Sequence, residues 1–205
     1  MLNAGESSSH SERDVPTYDD IVNAQTHYYE RHKKNTFFKK SQKFDCAESV
    51  CEQIPLEHLI NQTCWIVPNE NKVMFDYRPF KMYANPANYE IIVENIIRFC
   101  AWCVSEYGGF EFYFNLDTFS VSGAERYREI VILFCNECFK RNTRFSERLI
   151  TVNFYNMPNV VDQISHMLLP IIPPETRPKI RIYSKSESDI TLSELYTKSN
   201  KTYIH

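Results

Sequence analysis

The side chains best suited to chemistry are the thiols. Seven cysteines occur, and four of them form two Cys-x-x-Cys pairs, Cys100/Cys103 and Cys135/Cys138. Four thiolates at such spacing suit a tetrahedral zinc ion. Both pairs, however, lie inside long amphipathic segments and point to the apolar face, without the glycine turns on which zinc-ribbon pairs sit. Cysteine is often fully buried and then packs as a small hydrophobe. Buried thiols are the reading adopted, with a zinc-stabilised adaptor as the weaker alternative. Neither pair opens a helix after a strand, where a thiolate would be stabilised. The histidines, His10, His27, His32, His58, His166 and His205, build no His-Glu-x-x-His motif. Ser120 and Ser122 belong to no Gly-x-Ser-x-Gly elbow. Glycine occurs only at Gly5, Gly108, Gly109 and Gly123, so no glycine-rich phosphate cradle can be written. No catalytic residue, metal site or cofactor is read, and the chain is expected not to be an enzyme.

Charge offers one local feature. The net charge of -3 gives no reason to expect a nucleic-acid partner. Residues 31–44, however, carry six Lys or Arg and no acid, with Phe37 and Phe38 in their midst. One reading is a dock for an anionic membrane on Lys33, Lys34, Phe37, Phe38, Lys39 and Lys40, where each basic side chain adds about 1 kcal/mol and the rings insert. The plainer reading, which is preferred, is a solvated helix end whose phenylalanines pack on the domain. No apolar run approaches the ~20 residues that span a bilayer. Residues 1–14 are polar and read as no signal peptide. Cysteines without such a leader suggest reduced thiols in a cytoplasmic protein, with peripheral membrane association left open.

Elements able to position such groups follow from periodicity. Residues 1–16 read as a disordered tail. Thr17 and Asp20 form a capping box, so a helix should start at Tyr18 and run to about Lys34. Phe44–Ile60 suggests one or two short helices broken at Pro55, closing an N-terminal helical region of residues 17–63. Cys64–Val67 and Val73–Tyr77 read as strands around a Pro68–Asn71 turn, the second extending through Pro79 to Met82. Asn88–Tyr107 is the clearest helix, stopped by Gly108-Gly109. Phe110–Leu116 is an aromatic strand and Ala124–Arg141 a second strong helix. Leu149–Tyr155 alternates as a strand. Val160–Ile172 has helical spacing and ends in prolines, and Lys179–Tyr183 is a last strand. Leu192–Tyr196 suggests a short helix before a tail of residues 197–205. This alternation predicts an α/β fold, a mixed and mainly parallel sheet covered by helices.

With these elements placed, the sequence resembles the CRAL-TRIO lipid-binding family, in a divergent and shortened form close to the yeast phosphatidylinositol-transfer protein. Phe112–Ser120 resembles the family strand that ends in Asp-Leu-x-Gly-x-Ser. Phe145-Ser146-Glu147-Arg148-Leu149 resembles its Tyr-Pro-Glu-Arg-Leu turn. Tyr155-Asn156-Met157-Pro158 resembles its Ile-Asn-Ala-Pro. The spacing onward to Pro170 and to Lys179-Ile180 fits without gaps. The likeness covers about residues 64–190, and residues 64–196 are expected to form the lipid-binding domain. Departures exist: Asn115 stands for the pattern's Asp, Thr118 for its Gly and Ser146 for the Pro of the turn.

The resemblance implies a hydrophobic pocket for one lipophilic molecule above a sheet. It implies a gate helix at Val160–Ile172; periodicity alone would make that helix plain core. Pocket lining is expected from Phe112, Phe114, Val152, Phe154, Ile164, Met167, Leu168 and Ile171. It carries Glu147 and Lys179 over as neighbours of an inositol phosphate. The implied function is non-enzymatic binding, with transfer between membranes, of a phospholipid, a phosphoinositide among the options, or another lipophilic ligand. The alternative is a scaffold of the BCH type with a closed pocket that engages a small GTPase or its regulator.

Overall fold

The computed structural model describes residues 16–35, 37–140 and 143–201. Of the tails expected at residues 1–16 and 197–205, residues 1–15 and 202–205 lie outside them, and the last helix runs into the second tail as far as Lys198. Among the described residues one sheet of five strands forms, in the order β1 (Cys64–Ile66), β2 (Lys72–Asp76), β3 (Phe110–Asn115), β4 (Leu149–Tyr155), β5 (Ile180–Ile182). Only β1 and β2 pair antiparallel, through a short turn in which Asn69 takes a left-handed φ of 60°. The pairs β2–β3, β3–β4 and β4–β5 are parallel. Each parallel step needs a crossover, and helices supply it. The fold is therefore the mixed, mainly parallel α/β architecture expected.

The first crossover holds α1, Tyr77–Tyr83, and α2, Tyr89–Tyr107; the second holds α3, Val121–Arg126, α4, Arg128–Cys135, a π turn at Asn136–Lys140, and α5, Thr143–Arg148. The third holds α6, Val161–Leu168, and a helix α7, Lys185–Lys198, follows β5. Ahead of the sheet come three helices, αA (Tyr18–Arg31), αB (Lys39–Gln53) and αC (Leu56–Thr63).

Period-two alternation assigns the faces. Val73, Phe75, Phe110, Phe112 and Val152 join the main core beneath αA, αB, αC, α1, α2 and α4. Met74 and Tyr155 face the other way and pack with Trp65, Leu192, Leu195 and Tyr196 under α7. On that face Tyr155 stacks on Tyr183, with ring centroids 4.6 Å apart.

A buried polar knot ties α7 to the sheet. Arg78 grips the Asp76 carboxylate, Nη2 to Oδ2 at 2.7 Å, and the two residues are only 6% and 3% exposed. The Tyr196 hydroxyl donates to Asp76 Oδ2 at 2.6 Å and accepts from Asn115 Nδ2 at 3.0 Å. Asn156 Nδ2 donates to Asn115 Oδ1 at 2.8 Å. A buried charge is tolerable only when so partnered. Burial, then the Asp76 charge, keeps the Tyr196 phenol well above its ordinary pKa and thus protonated.

Several expectations need correction. Residues 77–82 form a helix rather than extending β2. The Asp76 carboxylate accepts from Arg78 N and caps α1; Pro79 then falls in the first turn, where no backbone N–H is needed. The helix expected at 124–141 starts at Val121, because Ser120 caps it through Gly123 N, and breaks at Tyr127. The gate helix ends at Leu168, four residues early, since Pro170 cannot continue it. The C-terminal helix is longer than expected, because Ser184 and Glu187 form a capping box that starts it at Lys185. The first helix stops at Arg31, short of Lys34, and αB starts at Lys39, ahead of Phe44.

Thr118, where the family pattern has Gly, sits at φ 65°. That region costs a non-glycine residue on the order of 1–3 kcal/mol, and β-branching suits it poorly. Its hydroxyl accepts from Lys81 Nζ at 2.6 Å, an exposed contact that offsets little. Thr118→Gly is therefore expected to stabilise the fold by about 1 kcal/mol, raising Tm by roughly 2–4 °C. A melting curve with Tm unchanged or lowered would contradict this account of the turn.

Candidate functional site

Between the sheet and its helices lies a cavity of about 180 Å³ whose exposed wall is wholly apolar. Phe112, Phe114, Val152 and Phe154 form its floor; Tyr127, Ile130 and Phe134 come from the α3–α4 junction and α4, and Leu168 and Ile172 from α6 and the turn after it. The floor is an aromatic ladder, because register sets Phe112 against Val152 and Phe114 against Phe154 on one face. Ring centroids are 5.3 Å apart for Phe112–Phe114 and 5.1 Å for Phe114–Phe154. Thr176 also borders the cavity; its hydroxyl is buried without a hydrogen-bond partner. Water needs about 2–4 polar partners to occupy such a space, whereas an apolar cavity of ~150 Å³ stays dry and accepts benzene. A drug-sized ligand needs roughly 300–1,000 Å³, so the cavity as it stands suits a compact apolar group.

The wall is uneven. Its β2, α1 and α2 side is buried: Phe75, Phe80, Val93 and Ile96 are at most 9% exposed. Leu168, Ile172 and Ile180 on the α6–β5 side are half-buried. Ile164 is the one buried residue of α6, and β5 has none. Segments with so few buried apolar contacts open at low free-energy cost.

Of the expected lining residues, Phe112, Phe114, Val152, Phe154 and Leu168 border the cavity, whereas Ile164, Met167 and Ile171 do not. Ile164 is buried on a helix that packs against α3. Met167 is half-buried away from the cavity. Ile171 lies beyond the helix, in the turn where its N–H bonds Leu168 O, and packs on the main core. Phe75, Tyr77 and Phe80 line the cavity without being expected there: Tyr77 and Phe80 lie on the helix that replaces the expected strand extension, and on β2 Phe75 shares the face of Phe112 and Phe114. The Asp76-x-Arg78 cap ahead of Pro79 was the signal that could have found Tyr77 and Phe80.

Glu147 and Lys179 come close to each other only through backbone. Lys179 Nζ donates to Ser146 O at 2.8 Å and Leu149 O at 2.6 Å, tying β5 to the end of α5. Glu147 is exposed. The lysine thus satisfies helix-end carbonyls, as a cation at a helix C-terminus does.

The basic segment departs from the preferred expectation. Phe37 and Phe38 are 91% and 70% exposed rather than packed on the domain. A hydrogen-bonded hook holds them out. Asn35 Oδ1 accepts from the N–H groups of Phe37 and Phe38 at 2.8 and 3.0 Å, and the Gln42 side chain bridges Asn35 N and Lys33 O. Lys33, Lys34, Lys39 and Lys40 surround the hook, all exposed.

The cysteines are free thiols, and no group of three metal-ligating side chains exists among the described residues. Burial pushes the Cys103 thiol up to about 11 and Cys100 well above its ordinary value. Neither is a nucleophile at neutral pH. His166 is exposed on α6. No described helix is long and apolar enough to cross a membrane.

The CRAL/TRIO domain model matches residues 27–203, and the chain belongs to that family. The match reaches further toward the N-terminus than the motifs did, taking in αB, αC and part of αA. Domains of this family are in general non-enzymatic and bind lipophilic ligands. A search of curated proteins finds no match.

Replacing Lys179 removes two charge-assisted hydrogen bonds and strands two carbonyls. Lys179→Met is expected to cost roughly 1–3 kcal/mol. Urea denaturation checks it; an unchanged midpoint would show that the ammonium serves something other than the α5–β5 tie.

Proposed function

We propose that this protein binds the apolar part of a phospholipid or similar lipophilic molecule in the cavity over β3 and β4 and carries it between membranes. The cavity, with its apolar exposed wall, supports the reading most directly. Each CH₂ taken from water contributes about 0.8 kcal/mol. The present volume is too small for a pair of acyl chains, so loading requires the segment from Val161 to Ile182 to move outward as a gate. Its scarcity of buried side chains supports that motion. A phosphoinositide head beside Glu147 and Lys179 would have to draw the ammonium away from Ser146 O and Leu149 O. The small volume also favours a second reading, a scaffold with a closed pocket that engages a small GTPase or its regulator.

Native mass spectrometry of protein purified from cells separates the two. A bound lipid mass is expected, and Leu168→Trp, which fills the cavity, should abolish it while leaving the circular dichroism spectrum unchanged. A bare polypeptide mass from wild-type protein would favour the scaffold.

The hook is the part of this reading that meets a membrane, in a protein working from the cytoplasm. Two exposed phenylalanines framed by lysines, with no acid in residues 31–44, complement an anionic bilayer. Inserting a phenylalanine contributes up to about 1.5–3 kcal/mol, and each lysine about 1 kcal/mol near an anionic surface. Wild-type protein is expected to cosediment with phosphatidylserine-containing vesicles and not with phosphatidylcholine alone. Phe37→Ser with Phe38→Ser should weaken this at least about tenfold. Equal sedimentation of wild type and double variant would remove the hook from the account.

A further inference from the structure

Beside the cavity a positive charge is buried without a counter-charge. Arg126, at the end of α3, is 9% exposed, and its Nε is buried with no hydrogen-bond partner. Among the described residues no carboxylate lies within ion-pair distance of it. Its guanidinium stands over the Tyr127 ring, 5.5 Å from the centroid, and its terminal nitrogens reach the Tyr127 hydroxyl, so that Nε alone is left without a partner. Tyr127 and Tyr77 both line the cavity. Tyr77 packs its hydroxyl onto Gly123, one turn back on α3, so closely that a Cβ there would meet it at 2.7 Å. The Tyr89 hydroxyl is also buried without a partner, and the Arg126 charge bears on the phenols of both Tyr77 and Tyr89.

Arg126 Nε and the Tyr89 hydroxyl are thus buried polar groups without a partner, next to Tyr127 and Tyr77 of the cavity wall. A buried polar group without a partner destabilises the fold, the more so on a charged side chain. We propose that Arg126, with the hydroxyls of Tyr77 and Tyr89, receives the anionic head, carboxylate or phosphate, of an amphiphile whose tail enters the cavity. This rests on the lipid-binding reading above and names the ligand class within it. The guanidinium fork suits bidentate capture of either group. The surroundings are cationic as well. Burial, then the charges of Arg126, Lys81 and Lys39, lowers the Lys43 pKa. Two acids stand near it: Glu129, whose charge reaches Tyr89, and Asp117, whose charge reaches Lys81.

The test uses the full chain and a fluorescent polyene fatty acid, its methyl ester, and lysophosphatidic acid as competitor. Wild-type protein is expected to bind the acid more tightly than the ester. Arg126→Met should weaken the acid about 30-fold or more and leave the ester unchanged. Displacement by lysophosphatidic acid that depends on Arg126 assigns a phosphate head; displacement only by free fatty acid assigns a carboxylate. If circular dichroism shows that Arg126→Met does not fold, Tyr89→Phe replaces it, with a selective loss of acid binding expected. Equal binding of acid and ester, unaltered by these variants, would overturn the head site while leaving the cavity reading intact. Failure of wild-type protein to bind acid or ester would overturn both.

Discussion

The structure depends on a mismatch between the two central strands and what covers them. β3 sends Phe110, Phe112 and Phe114 to one face, and β4 adds Val152 and Phe154. Phe110 and Phe112 are fully buried, yet Phe112 and Phe114 border empty space. Protein interiors normally pack to the density of organic crystals. A void among large aromatic side chains forfeits dispersion contacts on every side. The helices above do not close that gap, because Pro170 ends α6 after two turns and Tyr127 breaks the helix pair opposite.

The two faces of the sheet are built for different tasks. The α7 face is fixed by directional bonds among Asp76, Arg78, Tyr196, Asn115 and Asn156. Such a network has one geometry, and losing a member strands a buried charge or amide. The opposite face is held mainly by apolar contact, which is non-directional and tolerates repacking, with single ties such as Tyr127 OH to Lys81 O and Lys179 Nζ to Ser146 O and Leu149 O. The α6–β5 segment buries the fewest side chains there, with Lys179 and the β4–β5 pairing as its polar anchors.

The fold was legible because alternation and helical spacing are strong over Leu149–Tyr155 and Asn88–Tyr107, where strand and helix fall almost as expected. Elements set by a single side chain were not. The Asp76 cap turns an apparent strand extension into α1, and the Ser184–Glu187 box starts a helix whose Ile190 is 78% exposed and whose apolar residues form no clean stripe. The cavity floor followed from the family resemblance laid over the alternation of β3 and β4. Tyr77 and Phe80 of its helical wall did not, because the Asp76 cap turns their segment from strand to α1. Arg126 was invisible in sequence: one arginine among 23 basic residues gives no sign that tertiary packing will bury it unpaired.

The packing differences among these segments make a claim about motion. Hydrogen–deuterium exchange of the full chain, with and without phosphatidylserine-containing vesicles, tests it most directly. Residues 161–182 are expected to exchange much faster than β3, β4 and α7 in the free protein and to be protected when lipid is supplied. Exchange of that segment as slow as β3, and indifferent to lipid, would mean that the cavity is a sealed packing defect and not a binding site.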